Sequence, residues 1–198
     1  TGAANITEIK NACEWIKKSG NKIVLLHCIL NYPTENKNAN LQMIKGLKNE
    51  FPGVPIGYSD HTLPQEMQIL EAATLLGSTF IEKHFTLNKK LPGNDHYHAM
   101  DQNDLILLNK KLDNLFLILG DEDKRPLESE NISRENARRS LVSNIKICKG
   151  QIITEDMITW KRPGTGIQPY ELRQLIGKKA VVDILEDTLL DWSMFNES

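Results

Sequence analysis

The sequence predicts an α/β fold of parallel βα units followed by a small β-rich domain, and three observations lead there. Short apolar runs alternate with helix-spaced segments as far as Gly120. Two of those runs end in histidine-bearing segments, Gly57-Tyr58-Ser59-Asp60-His61-Thr62 and Glu82-Lys83-His84-Phe85-Thr86. Beyond residue 137 the βα rhythm gives way to short apolar stretches divided by turn residues.

The elements follow in order. Ile6, Ile9, Ala12, Cys13 and Ile16 share one helix face, and Ser19-Gly20 stops that helix. Lys22 to Cys28 reads as a strand, its continuous Ile23-Val24-Leu25-Leu26 core implying burial on both faces. Leu41, Ile44 and Leu47 mark a second helix, ended by Phe51-Pro52-Gly53. The strand from Val54 to Asp60 follows, then a helix with Pro64 in its first turn and Met67, Leu70, Ala73 and Thr74 facing inward until Gly77. Thr79 to His84 is the third strand. Asp101 caps a long helix with Leu105, Leu108, Leu112, Leu115 and Leu119 on its apolar stripe, and Gly120 ends it. Residues 1–120 thus form one domain, 121–137 read as a charged linker, and 138–198 form the second. In that second domain Arg139 to Ile147, Gln151 to Thr154 and Lys178 to Ile184 are expected as strands, with a helical turn at Thr154-Glu155-Asp156 and a short helix from Pro169 to Leu175.

Composition excludes several function classes. A net charge of −2, with bases scattered among acids, offers no electrostatic surface for nucleic acid or membrane. No apolar run reaches the ~20 residues that span a bilayer, and no signal peptide opens the chain. Cys13, Cys28 and Cys148 are far apart and form no CxxC, which suits a reducing cytoplasm better than a disulfide framework or a zinc knot.

Strand parity locates a candidate site. Residues two apart share a face, so Ser59 pairs with His61 and Glu82 with His84. On neighbouring strands the two imidazoles can converge on a divalent ion at the strands' carboxyl ends, where α/β folds collect their chemistry. His27 and His98 are left as structural histidines. The three strands close no barrel by themselves, so the chain reads as the later part of something longer.

Gly57-Tyr58-Ser59-Asp60-His61-Thr62, Glu82-Lys83-His84-Phe85-Thr86, Pro92-Gly93-Asn94-Asp95-His96 and Lys161-Arg162-Pro163-Gly164-Thr165-Gly166 resemble, in order and spacing, the N-acetylneuraminate (sialic acid) synthase family. The resemblance runs over nearly the whole chain. It implies the C-terminal part of a (β/α)8 TIM barrel followed by an SAF (antifreeze-like, β-clip) domain, in a domain-swapped homodimer. It also implies condensation of phosphoenolpyruvate with an N-acetylated amino sugar aldehyde and release of phosphate. On that footing His61 and His84 hold the metal, manganese first, with magnesium or cobalt as alternatives. Glu82 orients substrate hydroxyls or stabilises a cation, or else is a buried structural acid. Ser59 donates to a phosphate or carboxylate oxygen, and Asn31 and Tyr32 resemble the family's Asn/Tyr-Pro loop. Asp95 and His96 close the sugar side, and Arg162 reaches a partner's sugar site. Two other readings stay open: an ice- or carbohydrate-binding module, and a metal-dependent aldolase or hydrolase without phosphoenolpyruvate chemistry.

Overall fold

Helices and parallel strands alternate through the first of two units in the computed structural model, which describes residues 1–196. The first unit is Thr1–Asp121, and the second begins at Glu122.

Helix α1 (Ile6–Lys18) starts on a reciprocal cap. Asn5 accepts the Glu8 N–H, and the Glu8 carboxylate accepts the Asn5 N–H at 2.7 Å. It buries Ile9 and Cys13. Strands β1 (Leu25–Cys28), β2 (Ile56–Asp60) and β3 (Ile81–Lys83) lie in the order β1-β2-β3, all parallel. Helices α2 (Gln42–Glu50), α3 (Gln68–Leu75) and α4 (Gln102–Leu119) connect or follow them. Each helix sends apolar side chains inward: Ile44 and Leu47, Leu70 and Ala73, Leu108 and the partly buried Leu112, packed in one cluster with Ile56 and Tyr58 of β2. Burying each such side chain stabilises the fold by about 1.5–3 kcal/mol.

Gly57 in the middle of β2 is dictated by the close approach of β3. A Cβ there would lie 2.5 Å from the Phe80 carbonyl oxygen, so only glycine lets these strands pair. The central strand β2 is buried along its whole length. β1 departs from expectation: it begins only at Leu25, and its burial alternates, Leu25 and His27 inside, Leu26 and Cys28 half-buried. It is an edge strand in the described sheet, covered by helices on one face, so two-sided burial does not arise. α3 also starts later than expected. The backbone at Gln65, Glu66 and Met67 is left-handed, so Pro64 precedes a turn and the helix opens at Gln68. After β3 the chain loops out and returns, Met100 N–H bonding His84 O at 2.8 Å and Thr86 N–H bonding Met100 O at 2.9 Å. Asp101 caps α4 as expected.

The second unit differs from its sequence reading in three places. The segment read as a linker contains helix α5 (Asn131–Ala137), which buries none of its residues and therefore shows no apolar period. Strand β4 (Ser140–Ser143) pairs antiparallel with β5 (Ile158–Lys161), an unanticipated strand. Gln151 to Thr154 and Lys178 to Ile184 form no ladder and are held by isolated bridges, Ile152 to Lys179, Ile147 to Ile184 and Ala180 to Phe195. Gly150 and Gly177, both left-handed, turn the chain before longer ladders can form. The short helix is present as a turn at Pro169–Glu171 and α6 (Leu172–Leu175). Leu141, Ile147, Ile153, Leu175, Ile184 and Leu190 fill a core of their own.

Candidate active site at the strand ends

β2 and β3 run in register with Ser59 opposite Glu82 and Asp60 opposite Lys83. Alternation sorts these four residues by face. On one face the Ser59 hydroxyl donates to Glu82 Oε1 at 2.6 Å. On the other, Lys83 Nζ lies 2.6 Å from Asp60 Oδ2, both side chains almost fully buried. Asp60 also accepts from the Tyr58 hydroxyl at 3.0 Å, the Thr62 N–H at 2.9 Å and the Thr62 hydroxyl at 3.0 Å. Lys83 donates a second bond to Thr62 O at 2.7 Å. Burial, and then the Asp60 charge beside it, pushes the Tyr58 hydroxyl's pKa upward. This network was not anticipated, although the alternation that pairs Ser59 with His61 equally pairs Tyr58 with Asp60. It fixes the ends of both strands, and with them the residues on the opposite face.

Two imidazoles stand at those ends, His61 and His84, their ring centroids 5.2 Å apart and edge to face. His61 Nδ1 is 2.8 Å from Ile29 O. A carbonyl can only accept, so Nδ1 carries the proton and Nε2 keeps its lone pair, the tautomer a metal ligand needs. The Tyr32 ring covers His61 at 4.1 Å. Tyr32, Ser59, His61, Glu82 and His84 together line a 460 Å³ cavity.

A third imidazole adjoins them. His84 Nδ1 is 3.8 Å and His98 Nε2 is 3.6 Å from the same oxygen of Asp95, and the ligand atoms of His84, Asp95 and His98 all lie within 4.8 Å of one another. His98 is 1% exposed, and neither of its ring nitrogens has a hydrogen-bond partner among the described residues. Burial, reinforced by the His84 charge and opposed by Asp95, lowers its pKa. The expectation of a merely structural His98 therefore has no bonding to support it. His27, by contrast, is buried with Nε2 2.8 Å from Ala39 O, a satisfied core histidine as expected.

The structure does not bring every predicted residue into the cavity. Asn31 is exposed and does not line it. His96 is tied by Nδ1 to the Thr86 hydroxyl at 2.8 Å, organising its own loop. Arg162 belongs to the second unit, exposed, its Nε donating to Ala137 O at 2.9 Å. The donor set nevertheless fits a divalent cation: a tautomer-fixed imidazole, a second imidazole, a carboxylate and an orphaned buried third imidazole. No helix among the described residues is long and apolar enough to cross a membrane.

Parallel βα units carrying a polar cluster at the carboxyl ends of their strands define an α/β domain of the kind that gathers its chemistry at those ends. Residues 1–124 match the NeuB family and residues 138–196 match the SAF domain, and the chain belongs to the NeuB family. It is 38% identical over 193 residues to an uncharacterized protein of Methanocaldococcus jannaschii, covering 97% of this chain and 56% of that one. To the N,N'-diacetyllegionaminic acid synthase of Legionella pneumophila it is 36% identical over 197 residues, covering 97% and 54%. The crystal structure of a spore coat polysaccharide biosynthesis protein E from Chromobacterium violaceum superposes with a TM-score of 0.82 at 24% identity, over all of this chain and 59% of that one, which establishes the fold. The chain spans about half the length of the curated relatives it matches.

Proposed function

We propose that this chain supplies the later strands and the SAF domain of a nonulosonic acid synthase, which condenses phosphoenolpyruvate with an N-acetylated amino sugar aldehyde and releases phosphate. The observation that carries this reading is the convergence of Ser59, Glu82, His61 and His84 on one cavity at the carboxyl ends of adjacent parallel strands. Membership of the NeuB family and the likeness to a legionaminic acid synthase support it. That likeness favours a di-acetamido dideoxy sugar over N-acetylmannosamine.

His61 and His84 would hold the divalent ion, manganese, magnesium or cobalt, and when bound the ion polarises the aldehyde carbonyl as a Lewis acid. The chain's own groups do the remaining work. C3 of the enolpyruvate forms a bond to the aldehyde carbon, which leaves positive charge at C2. The Glu82 carboxylate, held in place by the Ser59 hydroxyl, offsets that charge. Water adds to C2 and loses one proton, which balances protonation of the new alkoxide oxygen; the C2–O bond to phosphate then breaks, the C2 hydroxyl proton leaving with the phosphate and a 2-oxo acid remaining. Tyr32, lying over His61, excludes bulk water from the imidazole side. Asp95, an exposed carboxylate near His84, would accept from sugar hydroxyls. Arg162 reaches the site of a partner chain in a homodimer.

In a protein carrying the complete barrel, phosphate release should require both phosphoenolpyruvate and the amino sugar, and His84→Ala should abolish it. Turnover of a sugar without phosphoenolpyruvate would overturn the reading in favour of an aldolase or hydrolase. The dimer role has its own test. Arg162→Ala and His84→Ala parents, each nearly inactive, should regain roughly a quarter of wild-type activity on subunit exchange, because about half the dimers are mixed and each holds one whole site. No recovery after verified exchange removes Arg162 from the partner's site.

A further inference from the structure

The interior of the first unit contains three buried histidines, of which two, His27 and His98, have opposite circumstances. His27 is bonded to a backbone carbonyl, whereas His98 has nothing on either nitrogen. A buried polar group without a partner costs about 1–3 kcal/mol, so native structures seldom keep one without a ligand for it. The surroundings of His98 say what kind of ligand. The Asp95 carboxylate stands 3.6 Å from its Nε2, too distant for a hydrogen bond. His84 lies beside it at a ring separation of 5.2 Å, and Tyr97 and Tyr32 close the other sides at 5.2 and 5.8 Å. Tyr97 is itself pinned, its hydroxyl donating to Tyr32 O at 3.3 Å. Between these aromatic walls the imidazole stands beside His84 and Asp95, without a hydrogen-bond partner among the described residues.

We propose that His98 is a metal ligand, joining His84 and Asp95 in a nitrogen-rich centre that takes cobalt, nickel or zinc in preference to magnesium. Three ligand atoms within 4.8 Å of one another, two of them imidazole nitrogens, need shifts of only about 1 Å to reach the ~2.0–2.2 Å bonds of such an ion. Imidazole suits cobalt, nickel and zinc, while magnesium prefers carboxylate, carbonyl and water oxygens. The inference deepens the proposed function, because it shares His84 with the ion placed there, but it rests on residues outside the His61–His84 pair. It makes His98 the residue that sets metal preference.

The test is a thermal-shift titration of the full chain, stripped with chelator and then given magnesium, manganese, cobalt or zinc salts alone. An ion that binds only the folded state raises the melting temperature according to its affinity. Wild type should bind cobalt and zinc more tightly than magnesium. His98→Leu removes an unsatisfied group, so its metal-free melting temperature should hold or rise, while its cobalt and zinc affinities fall about tenfold or more and its preference over magnesium disappears. A His98→Leu protein that keeps its cobalt affinity, or melts lower without metal while keeping the metal shift, makes His98 structural and sinks the proposal. Ring-nitrogen chemical shifts of His98 in the unaltered protein, with and without zinc, read the same contact without any substitution. His61→Ala separates the two readings. Affinity lost in His61→Ala but kept in His98→Leu leaves only the two-histidine site, and the reverse leaves only the centre proposed here.

Discussion

The two units bury different kinds of residue. In the first, His27, Thr34, Ser59, Asp60, His61, Thr62, Ser78, Thr86 and His98 lie inside the fold, whereas in the second only Ser140 and Ser143 do among the described polar residues. Each of those two serines has an evident structural task. Ser140 Oγ donates to Pro163 O at 2.8 Å and accepts the Gly166 N–H at 2.8 Å. Ser143 Oγ donates to Leu185 O at 2.6 Å and accepts the Thr188 N–H at 2.9 Å. Both tie loops that no ladder holds. Most of the first unit's buried polar residues instead gather at the ends of β2 and β3, Ser59, Asp60, His61, Thr62 and Thr86 with Thr34 bridged to Thr62 and His98 beside His84, more of them than pairing two strands requires. Polar burial in excess of architectural need is what favours the first unit as the seat of the chemistry proposed above.

The sharpest way to break this comparison is to disturb each interior at its centre. Lys83→Met leaves Asp60 as an uncompensated buried charge, for a loss of about 3–5 kcal/mol in urea unfolding. Ile147→Ala, in the apolar core of the second unit, should cost about 2–5 kcal/mol through lost contacts and a cavity. Their responses to a second substitution should differ. Asp60→Asn added to Lys83→Met removes the stranded charge and should recover most of the loss, since Asn can still accept from Tyr58 and Thr62. If the double variant is no better than the single, the pair is not the electrostatic unit described here.

How much of this was legible in the sequence also divides by unit. In the first, helix spacing, caps and strand parity speak for themselves: the Asp101 cap, the four helices and the meeting of Ser59 with Glu82 all follow from period and alternation. The same alternation held the Asp60–Lys83 pair and the Tyr58 hydroxyl. They were missed because a charged pair at a strand end reads as solvated until the register seats it against a buried neighbour. The burial of His98 was illegible for a different reason. It sits in a loop without period, and only the return of Met100 beside His84 brings it inward. In the second unit β5 and the single bridges were illegible, because elements of one to four residues carry no period and are fixed by contacts from distant loops. α5, without a buried face, left no stripe to read.

A smaller effect sharpens the comparison through one acid in each unit. Asp101 and Asp191 both cap helical turns, and both have carboxyls held below the ordinary Asp value. For Asp101 the backbone N–H of Asp104 is the main cause, with a further bond and charge from Lys89, whose Nζ is 3.2 Å away. For Asp191 the causes are the hydroxyl and N–H of Ser193, at 2.6 and 2.9 Å, and no cation takes part. A carboxyl whose pKa is depressed by folding stabilises the folded state above its unfolded value near 4, and that contribution is lost as pH falls through the folded value. Melting temperatures of Asp101→Ala and Asp191→Ala should therefore lie below wild type at pH 6 and converge on it as the pH is lowered through 4 toward 2. Salt should tell the two apart. Raising ionic strength to about 1 M shrinks the screening length to roughly 3 Å and weakens the Lys89 contribution at Asp101, while the neutral donors of Ser193 are untouched. The Asp101→Ala deficit should thus narrow in salt and the Asp191→Ala deficit should not; equal narrowing at both would mean that Lys89 plays no part in holding the start of α4 and the loop that carries His98 into it.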